Sequence, residues 1–93
     1  ILVFKIGGKM LGSYEYLIQS RKEDIDFINK IMEAYEGAGV VRTVDPHKGL
    51  INIITTYDFK DFVKEIVEDL DKNEVVAKIV EEGPWKGSLY INK

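Results

Sequence analysis

The chain has no cysteine, which excludes disulfides, thiolate nucleophiles and cysteine-ligated metals and suits a reducing compartment. It has one histidine, so no pair of imidazoles can share a transition metal, and none is expected. Long apolar runs are missing as well: the opening ILVF falls far short of the ~20 residues that a helical membrane span requires. ILVFKIGGKM also lacks the basic-then-apolar order of a secretory signal, so the expected location is cytoplasmic, with no membrane partner. Nor is there an excess of positive charge. Thirteen Lys and Arg against sixteen Asp and Glu leave a formal charge of −3 and a pI near 5.1, so no overall field draws the chain to nucleic acid or anionic lipid.

What is present is a balanced globular composition, 45% hydrophobic and 31% charged over 93 residues, enough for one domain with a single core and too little for a second. The chain begins at isoleucine, so the loss of an initiator or a tag is expected. KIGGKM raises a specific reading: codons such as GGA GGT AAA ahead of an ATG would spell a ribosome-binding site, which makes Met10 the natural start and residues 1–9 a translated leader.

Residues 1–6 are β-rich and GGKMLGS reads as a loop or the start of a bulged strand, after which YEYLIQ, 14–19, predicts a strand. Ser20 and Glu23 stand at capping-box spacing ahead of an amphipathic helix. At 100° per residue Ile25, Phe27, Ile28, Ile31, Met32 and Tyr35 share one sector, Asp26 and Lys30 make an i,i+4 pair, and Gly37 and Gly39 end the helix. VVRTV and LINIIT then flank DPHKG as a hairpin. Asp58 is placed to cap a second helix, with Tyr57 and Phe62 as its hydrophobic staple and Phe59, Phe62, Val63, Ile66, Val67 and Leu70 as its buried stripe. Glu68, Asp69 and Asp71 oppose the dipole at its C-terminal end, at about 0.3 kcal/mol each, which points to a partner or cation nearby. EVVAKIVEE fits either period. GPWKG repeats the chemistry of DPHKG, a proline preset for a turn, a free position, lysine, then glycine, so residues 75–82 and 88–92 are expected to form a second hairpin. His47 then matches Trp85 as a turn tip, with Asp45 accepting backbone N–H bonds in an Asx-turn.

Pairing Asp45 with Gly49 sets the parity of the first hairpin. One face carries Val41, Thr43, Ile51, Ile53 and Thr55; the other carries Val40, Arg42, Val44, Leu50, Asn52 and Ile54. In the second hairpin Val75, Ala77, Ile79, Leu89 and Ile91 oppose Val76, Lys78, Val80, Tyr90 and Asn92. The order β-α-β-β-α-β with helices over the cleaner face gives an α+β fold, a ferredoxin-like split-βαβ sandwich with an antiparallel sheet, plus a C-terminal hairpin strand and an optional N-terminal strand. Residues 1–13 are the extension or extra strand, 14–82 the ferredoxin-like core and 83–93 the hairpin strand, all within one domain, 1–93.

A solvated sheet face should be polar, yet Val40, Val44, Leu50, Ile54, Val80 and Tyr90 surround Arg42 and Asn52 on the second face, with Trp85 beside them. The expected partner is a second copy: stacking sheet on sheet buries about 800 Å² per subunit. The N-terminal strand is the alternative cover.

The run DIDFINKIMEAYEGAGVVRTVDPHKGLINIITT resembles the signature of a small bacterial family, domain-of-unknown-function family 4911. Tyr35-Glu36-Gly37, Val41-Arg42-Thr43, Asp45-Pro46 and Gly49-Leu50 carry the resemblance, which covers about residues 14–72. It implies no activity, cofactor or functional residue. The family's topology is similar to that of ACT-type regulatory domains, which bind small ligands at oligomer interfaces, although QSRK lacks the glycine such domains often place beside a ligand.

Other chemistry is weaker. The topology is shared with RNA-recognition motifs, but Leu50, Asn52 and Ile54 stand where base stacking needs aromatic rings, so nucleic acid is disfavoured. GGKMLGS departs from the phosphate-loop pattern. DLDKNE starts like a calcium loop and then places Glu74 at the obligatory glycine and Val80 at the bidentate acid. Arg21 and Lys22 precede the first helix, where basic groups and free amides would form an anion pocket; with Asn52, Arg21 loosely fits the residue set of acylphosphatases, without their glycine-rich cradle. The leading expectation is a non-enzymatic, self-associating, ACT-like regulatory module with no catalytic residue and no cofactor. Arg42 and Asn52 are its polar pair for a small anionic ligand. Acyl-phosphate or phosphoester hydrolysis through Arg21 and Asn52, and single-stranded RNA binding, are the alternatives.

Overall fold

A computed structural model of the chain describes residues 4–6 and 9–85, with side chains from residue 12 onward. Phe4–Ile6 (β1) and Lys9–Leu11 (β2) pair as a two-stranded antiparallel hairpin. Ser13–Ser20 (β3) leads through a 3-10 turn, Lys22–Asp24, into Ile25–Ala34 (α1). Val40–Asp45 (β4), Leu50–Thr56 (β5), Lys60–Lys72 (α2) and Ala77–Pro84 (β6) follow. The main sheet has the order β4-β5-β3-β6 and is antiparallel throughout. The molecule is therefore α+β, with the ferredoxin-like split-βαβ topology.

Alternation sorts the sheet into two faces. Tyr16 and Ile18 on β3, Ile51 and Ile53 on β5 and Ala77 on β6 are buried with Ile28 and Met32 of α1 and Val63, Ile66, Val67 and Leu70 of α2. Each fully buried aliphatic or aromatic side chain of this set contributes about 1.5–3 kcal/mol. The Tyr16 hydroxyl reaches polar ground by donating to the Lys60 carbonyl at 2.7 Å. α2 buries its expected stripe from Val63 onward. Phe27, Tyr35, Phe59 and Phe62, expected in the buried sectors, instead keep 42–48% of their surface in water. They lie at the margins of stripes whose centres already fill the space above the sheet.

The first hairpin has the expected parity: Val41 pairs with Ile53, Arg42 with Asn52 and Thr43 with Ile51. Its end differs. A bulge between Thr43 and Asp45 pairs Asp45 with Leu50 rather than Gly49, while the Asp45 carboxylate accepts the backbone N–H of His47 and Lys48 at 3.0 and 3.2 Å in the expected Asx-turn. Gly37 closes the α1 turn at φ +84, and the expected Asp26–Lys30 pair forms at 3.2 Å.

Three local expectations are corrected. Ser20 caps no helix: it is the last residue of β3, and its hydroxyl donates to the Gly49 carbonyl at 2.7 Å. A side chain held by a neighbouring strand is not available to orphan helix amides, so the capping box with Glu23 does not form. Asp58 caps nothing either. α2 begins two residues later, Thr56 Oγ1 accepts the Phe59 N–H at 3.3 Å, and the staple is replaced by two separate aromatic contacts, Tyr57 with Tyr14 and Phe62 with Tyr35. Finally, GPWKG does not turn at Gly83. Tyr14 pairs with Pro84, Glu15 with Gly83, and the Trp85 N–H donates to the Ser13 carbonyl at 2.9 Å. Among the described residues β6 is an edge strand, where proline breaks no inner ladder bond. The expected strand 88–92 lies outside the described residues.

A second bulge, between Leu17 and Ile18 on β3, leaves Val80 unpaired. It shifts the later half of β6 by one residue, so Glu82 lies opposite Tyr16 on the helix side rather than on the outer face.

Candidate functional site

The outer face of the sheet, away from the helices, holds most of the residues that the sequence singles out. Asn52 sits on the central strand β5, with Arg42 directly opposite on β4 and Leu17 on β3. Arg42 is half-buried and forms no ion pair among the described residues. Val44, Leu50 and Ile54 are half-buried around this row, while Val40 and Val80 on the two edge strands are 62% and 55% exposed. Tyr90 lies outside the described residues. Trp85 is half-buried, and its indole N–H is enclosed without an acceptor among the described residues.

At the centre is a residue not anticipated from the sequence. Glu15 pairs with Ile54 on the same face, diagonal to Asn52, and the Asn52 Nδ2 donates to Glu15 Oε1 at 3.0 Å. Both are enclosed within the single chain, Asn52 at 2% and Glu15 at 3% exposure. The carboxylate only accepts, so it fixes the amide with Nδ2 toward Glu15, and Asn52 Oδ1 is left buried with no donor among the described residues. An orphaned buried acceptor costs about 1–3 kcal/mol. The signal for Glu15 was present in YEYLIQ, whose alternation opposes Glu15 to Tyr14 and Tyr16; recognising its contact with Asn52 required knowing that β3 and β5 are neighbours.

Arg21 and Lys22 are placed elsewhere. Asn52 is level with Leu17 on β3, so Arg21 is four residues farther along, about 13 Å at strand rise. Its Nε donates to the Asp24 carboxylate at 2.7 Å and its Nη2 to the Glu74 carbonyl at 3.3 Å. Asp24 Oδ2 also accepts the Val76 N–H at 3.1 Å. These bonds tie the end of β3 to the segment between α2 and β6, where Glu74 adopts φ +71. Hydrogen bonding from Arg21 holds the Asp24 carboxyl below the usual range. Lys22 is exposed on the 3-10 turn. The structure does not bring Arg21 together with Asn52.

The acids at the end of α2 divide. Asp71 accepts Lys78 Nζ at 2.7 Å and the Ala77 N–H at 3.1 Å, which clamps the start of β6 and, chiefly through Lys78, lowers its carboxyl pKa. Glu68 and Asp69 are exposed and form no ion pair among the described residues. At the other end of the sheet the Tyr14 hydroxyl donates to Glu82 Oε1 at 2.8 Å, Lys64 lies 3.3 Å from Glu82 Oε2, and burial with that carboxylate pushes the Tyr14 pKa up to about 12. His47 is exposed at its turn.

Among the described residues no group of three metal-ligating side chains is brought together, and no helix is long and apolar enough to cross a membrane. Comparison with curated proteins and with solved structures returned no match. Residues 18–73, from the middle of β3 to the end of α2, match the sequence model described as Domain of unknown function (DUF4911). That match spans more than half of the chain and contains Arg42 and Asn52, and the protein belongs to the DUF4911 family.

Proposed function

We propose that the protein is a non-enzymatic, self-associating binding module that takes a small anionic ligand on the outer sheet face. The observation that carries this reading is the row Arg42–Asn52–Glu15. Among the described residues, a cation without an ion pair lies beside a buried amide whose carbonyl has no donor, in a surround of Val44, Leu50 and Ile54. A ligand suited to the row carries an anionic group for Arg42, because the guanidinium needs an opposite charge, while Asn52 and Glu15 stay enclosed beside it. Val40 and Val80, exposed on opposite edges, extend the apolar surface that a second copy would cover, with about 800 Å² per subunit for a stable dimer. Regulation of the ACT type, with effector held between subunits, is the form of activity this arrangement suits.

Sedimentation of the wild-type chain beside Leu50→Lys tests the association: the wild type should run as a dimer and the variant as a monomer. Identical monomers sink the proposal. For the ligand, thermal-shift screening with amino acids and inorganic phosphate should give a stabilisation that Arg42→Ala abolishes. A shift that survives Arg42→Ala places the ligand elsewhere.

A further inference from the structure

Between α1 and α2 runs an open groove of about 460 Å³, separate from the outer sheet face and independent of its proposed role. Its α1 wall is apolar: Ile31 and Tyr35 line it four residues apart, and the Tyr35 ring is substantially exposed. Tyr35 meets Phe62 of α2 edge to face at 5.4 Å and closes one end. The α2 wall is anionic. Glu65, Glu68 and Asp69 line it and form no ion pair among the described residues, whereas Asp61 pairs with Lys60 and Asp71 with Lys78. Glu68 and Asp69 also stand toward the C-terminal end of α2, where the helix carbonyls already concentrate negative charge. The result is an apolar rail and an acidic rail side by side, and among the described residues that line the groove Lys72 alone is basic.

We propose that this groove docks a basic amphipathic helix of a partner protein. The partner's apolar stripe lies on Tyr35, Phe62 and Ile66, and lysines or arginines along one flank face Glu65, Glu68 and Asp69. A helix fits because the groove is bounded by two helices, which offer ridges and hollows but no free strand edge for backbone pairing. From Phe62 to Lys72 the wall rises about 15 Å, nearly three turns, which matches anchors at i, i+3 or i+4, and i+7. The charge pattern selects basic partners over acidic ones, and the cation relieves a repulsion that the folded chain otherwise carries.

The test uses a fluorescently labelled amphipathic Leu/Lys peptide of about eighteen residues and its Leu/Glu counterpart, read by anisotropy at physiological salt. The wild-type chain should bind the Leu/Lys peptide and not the Leu/Glu one. Glu65→Lys with Glu68→Lys should weaken binding by about tenfold or more. Phe62→Ser, which leaves the charge unchanged, should do the same. Glu23→Lys with Asp58→Lys, an equal charge change away from the groove, should stay within about twofold of wild type. Circular dichroism and urea unfolding establish that each variant is folded. Equal binding of both peptides, an unaffected Phe62→Ser, or a loss in the Glu23/Asp58 variant matching that in the Glu65/Glu68 variant would overturn the proposal.

Discussion

The Ser20 amide and the Ser20 hydroxyl both donate to the Gly49 carbonyl, at 2.8 and 2.7 Å, so the end of the β4–β5 turn is bolted to the end of β3. Gly49 has φ +70, and a Cβ there would stand 2.4 Å from the Ser20 carbonyl oxygen, a backbone atom that cannot swing aside. Gly49→Ala should therefore cost about 2–4 kcal/mol, from left-handed strain and overpacking together. Ser20→Ala keeps the backbone bond and should cost about 1 kcal/mol. Urea denaturation measures both, and a Gly49→Ala chain as stable as wild type would contradict this packing.

Asn52 and Glu15 should be strongly coupled. Removing either partner leaves the other buried without its hydrogen bond, so Asn52→Leu and Glu15→Leu are each expected to destabilise by about 1–3 kcal/mol. The double variant makes the island apolar within an apolar surround and should lie near wild type, which gives a coupling of about 1–3 kcal/mol in a double-mutant cycle. Additive losses would mean that the 3.0 Å contact contributes little.

The fold was legible wherever one period dominated. The stripe of α2 and the parity of the β4–β5 hairpin follow from spacing alone, because a slip of one residue would turn Ile51 and Ile53 out of the core. The misread features are those where a tertiary contact outcompetes a local motif. Ser20 had the right neighbours for a cap and was taken by Gly49; Gly83 and Pro84 had turn chemistry and were drawn into an edge ladder on β3. Of the candidate site, Arg42 beside Asn52 was readable from hairpin register. Glu15 was not, because its adjacency to Asn52 depends on strand order and not on sequence distance.

Tyr14 should titrate late. Its pKa lies near 12 because the hydroxyl is desolvated and donates to Glu82. The folded value exceeds the unfolded one of about 10, so the contribution to stability is complete below about pH 10 and is lost as pH rises through 12. Alkaline titration followed by tyrosinate absorbance should show a late step that Tyr14→Phe removes. Glu82→Gln should move the step toward the ordinary value, and its persistence unchanged in Tyr14→Phe would assign it to another tyrosine.

Acid stability should depend on Asp24 and Asp71. Both carboxyls are lowered, Asp24 chiefly by its bond from Arg21 and Asp71 chiefly by its bond from Lys78, with backbone amides of Val76 and Ala77 as second donors. A folded pKa below the unfolded value of about 3.9 means that the stabilisation is full above about pH 4 and is lost as pH falls through the folded value. Protonation there loosens two adjacent amides, those of Val76 and Ala77, where the connection from α2 enters β6. Asp24→Asn with Asp71→Asn should thus be less stable than wild type at neutral pH, and the two stability curves should converge in acid, measured by urea denaturation at stepped pH. A gap that stays constant from neutral pH into acid would show that neither carboxylate contributes through its charge.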